Sequence, residues 1–171
     1  MVDIIFIDDN YLYQNFPLPQ RMERGALLAL IQLEQYTSIQ DLLGTCLYED
    51  IETKVAAQTL NSSEQELFKM IKYSLAMFSA RAAISILRSE TSRTKNEESK
   101  SNQMTLDAIS SSLESKLTYI NKRIVNYILS DATIKATATA SGCDDDLFES
   151  EDVFTDASIF YPKSSTSSGD C

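Results

Sequence analysis

Residues 66–87 read ELFKMIKYSLAMFSARAAISIL, and this stretch decides the fold. Leu67, Phe68, Ile71, Leu75, Phe78, Ala82 and Ile86 recur at three and four, which is helical spacing. A second stripe runs through Tyr73, Met77, Ala80, Ile84 and Leu87. A helix that is apolar on two sides is a central helix, met by neighbours from both directions. Its apolar run reads as too short and too interrupted for a bilayer span, which needs about 20 apolar residues. Ser62 or Ser63 is placed to cap its start, with Glu64 and Glu66 in the first turn, where the helix dipole favours anions. Arg88 suits the opposite end. Arg81 is the lone charge from Tyr73 to Leu87. Such an arginine more often snorkels or pairs with a carboxylate than faces a partner.

Outward from this stretch, Pro19 fits the first position of a helix over about 20–41. Met22, Ala26, Leu30, Leu33 and Tyr36–Thr37 form its expected inner stripe. Leu42-Leu43-Gly44 ends it, with Gly44 free to take the left-handed conformation of a helix C-terminus. Thr45 is the expected cap of a second helix over 46–59, with Leu47, Tyr48, Ile51 and Val55 inward. The central helix occupies 63–90. Residues 89–103 lack any large apolar side chain and read as a solvated extension or a mobile loop. Met104, Leu106, Ile109, Leu113, Leu117, Ile120, Ile124 and Ile128 then mark a fourth helix over 104–130, capped near Thr105 to Asp107. The expectation is an all-α fold, a four-helix bundle-like domain over 20–130 with an extended arm at each end.

The N-terminal arm, 1–19, opens with a β-branched and aromatic run, Ile4 to Ile7, that reads as a strand or extended arm. With no second strand nearby it would pair with another subunit, because unpaired backbone groups are costly. Residues 8–19 read as a loop pinned by Tyr11, Tyr13 and Phe16. The C-terminal arm, 131–171, turns Ala/Thr-rich, then acidic, then Ser-rich, punctuated by Leu147, Phe148, Val153, Phe154, Ile159, Phe160 and Tyr161. Acidic stretches with spaced aromatics dock on partners. The candidate partner-contact residues are therefore Ile4, Phe6, Arg81, Phe148, Phe154, Phe160 and Tyr161.

The net charge of −10 argues against broad nucleic-acid binding. There is no histidine, which removes the commonest general base and metal ligand. Cys46, Cys143 and Cys171 form no CxxC pair, so free thiols are expected, with Cys46 buried, in a chain kept in the cytosol without a signal peptide. Asp8-Asp9 after a short apolar run reads as a solvated turn rather than a metal site. Asp144-Asp145-Asp146 lacks the alternating ligands of a calcium loop, since Leu147 and Phe148 fall where polar residues belong. No nucleotide, metalloprotease or nucleophile-elbow motif is present. The reading is no enzyme, no cofactor, no metal and no membrane partner.

Over residues 28–51, LALIQLEQYTSIQDLLGTCLYEDI resembles the helix–LLG–helix signature of small head–tail connector proteins of tailed phages. The residues that carry the likeness are Ile39, Leu42, Leu43, Gly44, Leu47, Tyr48 and Ile51, and the long third and fourth helices extend it over about 1–130. Leu33-Glu34 stands where the family pattern has Ala-Gln, and the acidic C-terminal arm lies outside that pattern. Among such proteins the resemblance points to the neck ring proteins of crAss-like phages. The resemblance implies a structural virion protein made in the host cytoplasm. It would form a homo-oligomeric ring, a dodecamer, beneath the portal protein, touching other neck or tail rings. DNA would pass through its channel without sequence-specific binding. Two other readings stand beside it: a monomeric helical adaptor binding a host or phage protein through the acidic-aromatic arm, and an enzyme with a metal held by Asp3, Asp8 and Asp9.

Overall fold

The computed structural model describes residues 4–16, 18, 22–91 and 97–140. Every regular element among them is helical: α1 (Asp9–Asn15), α2 (Arg24–Glu34), a π turn (Gln35–Ile39), α3 (Gln40–Leu43), α4 (Thr45–Ala57), α5 (Ser62–Thr91), α6 (Glu97–Ser130) and α7 (Ala132–Ala138). The π turn joins α2 to α3 without a break, so six separate helices result, against the four expected. The four expected helices are present with nearby bounds. The two additional ones, α1 and α7, are short and lie in the segments read as loop and arm.

Helix α5 is the centre, packed against α1, α2, the π turn and α6. From Ser74 to Ala80 every residue is buried, so the helix has no solvent face over two turns. By length and composition, the Ser62–Ser89 part is long and apolar enough to cross a membrane, contrary to the sequence reading. Half of its most apolar window is buried inside the fold, where neighbouring helices take the place of any other apolar medium. Asn61, not Ser62 or Ser63, caps α5: its side chain accepts the Glu64 N–H at 2.9 Å, and Glu64 accepts the Asn61 N–H at 2.8 Å. This reciprocal box satisfies two backbone donors at once.

The inner face of α2 is not the expected one. Leu27, Ile31, Gln35, Ile39 and Leu43 are buried, while Leu33 is 56% exposed. A strict spacing of four drifts about 40° per step on a helix of 3.6 residues per turn. The wider π turn absorbs that drift and keeps Gln35, Ile39 and Leu43 on one face.

Gly44 has φ 74° and ψ 153°, a region open only to glycine, rather than the left-handed helical conformation. Its N–H donates to the Gln40 carbonyl at 2.9 Å and its carbonyl accepts the Tyr48 N–H at 3.0 Å. One residue therefore ends α3 and opens α4. Thr45 is the first residue of α4, and Gly44, not Thr45, occupies the cap position. Leu47, Tyr48 and Ile51 point inward as expected.

The polar stretch 89–103 is largely helical, not a loop: α5 runs to Thr91 and α6 begins at Glu97, placing Thr105 to Asp107 inside a helix. Glu, Lys and Gln extend a helix without needing an apolar partner. Beyond α6, Asp131 caps α7, whose Ile134 and Ala138 are buried against the α4 and α6 side of the bundle.

Replacing Leu75, fully buried in α5, by Ala should lower unfolding free energy by about 2–5 kcal/mol. Gly44→Ala should cost about 1–3 kcal/mol through its positive φ alone. Denaturant titration of both variants measures these losses.

Candidate functional site

The N-terminal run Ile4 to Ile7 is not a strand and does not wait for another subunit. The Gln35 carboxamide, 1% exposed, pairs with it as a neighbouring strand would. Its Oε1 accepts the Phe6 N–H at 2.8 Å, and its Nε2 donates to the Ile4 carbonyl at 2.7 Å and to the Tyr48 hydroxyl at 3.0 Å. Phe6 is buried between Tyr48 and Phe68, at ring distances of 5.7 Å and 5.2 Å. It belongs to the chain's own core. Ile4 is half-buried, and Ile5 is the exposed member of the run.

Arg81 is exposed, with its guanidinium 5.4 Å from the Phe78 ring centroid. Phe148, Phe154, Phe160 and Tyr161 lie outside the described residues. Among the described residues, Ile4 and Phe6 are held by the same Gln35 carboxamide, and Arg81 stands apart on α5. Cys46 is also corrected: it is half-buried and disulfide-bonded, where a free buried thiol was expected. The chain's other cysteines, Cys143 and Cys171, lie outside the described residues.

Asp8 and Asp9 are engaged separately. Asp8 caps α1 by accepting the Tyr11 N–H at 2.8 Å, and Asp9 pairs with Arg24 at 3.0 Å. Asp3 lies outside the described residues. No cluster of three His, Cys, Asp or Glu side chains suited to a metal exists among the described residues.

The most developed surface feature is a groove between α5 and α6. One part, about 530 Å³, is lined by Lys69, Tyr73, Lys116, Tyr119 and Arg123, with Glu66 paired to Lys69 at its edge. A second part, about 340 Å³, shares Tyr73 and Lys116 and continues over Ile84, Ala108 and Leu113 to Phe16 and Leu18. Tyr73 sits where the two meet, its ring 5.7 Å from Phe16. Tyr119 is 68% exposed, a large aromatic surface on a single-residue scale. Lys116 and Arg123 have no carboxylate partner among the described residues. The groove is thus basic and aromatic on a chain whose net charge is −10. Sequence reasoning missed it because its residues come from two helices distant in the chain. The available signal was Lys116, Tyr119 and Arg123 at spacings of three and four along one face of α6.

Polar contacts hold the groove's walls in register. The Ser74 hydroxyl donates to Asn121 Oδ1 at 2.7 Å inside the α5–α6 interface, and the Tyr127 hydroxyl donates to the Ser63 carbonyl at 3.2 Å. Burial raises the Tyr11 pKa, with a further rise from Tyr73. Near the start of α5, hydrogen bonds to Asp50 and then Glu64 raise the Lys54 pKa. Compared with protein-family models, curated proteins and solved structures, the chain matches none.

The Asp131 carboxylate is held below its ordinary value of 3.8 by the Ile134 N–H, a Ser63 hydrogen bond and the Thr133 N–H. A lowered folded-state pKa stabilises fully above the ordinary value and ceases to do so as pH falls through the lowered one. The methyl resonances of Ile134 should therefore shift toward an undocked position as pH falls below 3.8, and Asp131→Asn should remove that titration.

Proposed function

We propose that this protein is a non-enzymatic structural component of a tailed-phage virion, one subunit of a ring beneath the portal that joins head to tail and extends the DNA channel. The observation that carries the reading is the elbow at Gly44. The residues through which the chain resembles head–tail connectors, Ile39, Leu42, Leu43, Leu47, Tyr48 and Ile51, are all buried in one core around that elbow. The likeness therefore rests on a folding unit with geometric demands, not on scattered matches. Tyr48 adds to it by receiving the Gln35 hydrogen bond that ties down the N-terminus.

The charge balance supports the same reading. A channel wall that held anionic phosphates would slow a passing duplex, so an acidic subunit suits the role. Arg and Lys then belong at subunit or portal contacts, and the basic α5–α6 groove suits such a contact. The contact surface is neither Phe6, which is in the core, nor Asp8 and Asp9, which serve α1.

Purified particles should contain the chain in a ring-like copy number, localised by labelling at the vertex that carries the tail. Sedimentation of the isolated protein should show mass rising with concentration. Normal packaging and ejection by particles lacking it, together with a constant monomer mass, would replace the ring with the monomeric adaptor.

A further inference from the structure

We propose that the α5–α6 groove is the receptor for the acidic, aromatic segment 144–161 of a neighbouring copy of this chain. The inference rests on the ring reading and names the contact that would close it.

The groove and the segment are opposite in charge and alike in apolar character. Residues 144–161 carry seven carboxylates and no base, with Phe148, Phe154, Phe160 and Tyr161 spaced among them. The groove offers Lys116 and Arg123, neither paired with a carboxylate among the described residues, and the exposed faces of Tyr73 and Tyr119. Its continuation over Ile84 and Leu113 is apolar enough to take an aromatic ring. Carboxylates set beside lysine and arginine, with rings seated between tyrosines, use both halves of the groove.

The direction of the chain favours a neighbour. Helix α7, from which the segment departs, packs on α4 and α6. The groove is floored by α5 and α6 and edged by Asn15, Phe16 and Leu18 at the end of α1. The described chain thus ends with α7 packed on α4 and α6, while the groove is floored by α5 and α6. Groove and segment are distinct patches, so their contact is heterologous, the kind that closes rings.

A charge swap in the full-length chain tests this. One variant reverses the groove, Lys116→Glu with Arg123→Glu. The other reverses the segment, with Asp144→Lys, Asp145→Lys, Asp146→Lys, Glu149→Lys and Glu151→Lys, which leaves Asp152 and Asp156 against five lysines. Each variant alone sets like charges together, which should raise the concentration at half-assembly by about tenfold or more, read by sedimentation. An equimolar mixture restores both complementary contacts and should assemble like the parent. Contact within one chain would not be rescued by mixing, so failure of the mixture overturns the proposal. Parent-like assembly of either variant alone also overturns it while leaving the ring reading intact. A parent that stays monomeric at all concentrations overturns both. Loss of duplex-oligonucleotide binding by the groove variant, with assembly unchanged, would assign the groove to nucleic acid instead.

Discussion

A backbone that enters an apolar core must have its N–H and C=O groups paired, and the N-terminal segment of this chain meets that demand through one side chain. Gln35 supplies both a donor and an acceptor to the Ile4–Phe6 backbone and a third bond to Tyr48. Without it, Phe6 could not sit between Tyr48 and Phe68 without leaving polar groups unmatched, at a cost of about 1–3 kcal/mol each. The π turn exists in the same place. It swings Gln35 onto the face of α2 that already holds Leu27 and Ile31. Arm, π turn and α4 are thus tied to one another by a single carboxamide in a widened turn.

That arrangement also marks where the sequence was readable. Where apolar residues alone set the face, in α4, α5 and α6, most expected inward residues are buried, Leu47 and Ile51, Leu75 and Met77, Leu117 and Ile124 among them, while Tyr73, Ile86 and Met104 of the same stripes are exposed. In α2 the inner stripe contains a glutamine, and a hydrophobic criterion passes over it to Leu33, which faces solvent. The same bias hid α1, whose single fully buried residue is Leu12, and α7, where Ile134 and Ala138 suffice. Short helices depend on one or two contacts and a cap, here Asp8 and Asp131, and such signals are local and common in loops. The groove was illegible for another reason: it belongs to a pair of helices, so neither Tyr73 nor Lys116 signals it alone.

The distribution of charge has a structural logic of its own. Most of the −10 lies beyond residue 140, outside the described bundle. Within the bundle, acids serve as caps and ion-pair partners: Asp8, Glu64 and Asp131 at helix starts, Asp9 and Asp107 against arginines. The cations of the α5–α6 groove are left to act outward.

The elbow at Gly44 joins two helices through one residue, and both of its backbone groups are already bonded, to Gln40 and Tyr48. A linker of several residues would bend under load. A single residue with both dihedrals committed has no slack, so α2 and α4 behave as the two arms of a bracket. Force applied along α4 passes into the π turn and the Gln35 contacts rather than dissipating at the corner. Such a corner keeps its angle up to the load at which the Gly44 bonds themselves break, and then yields all at once.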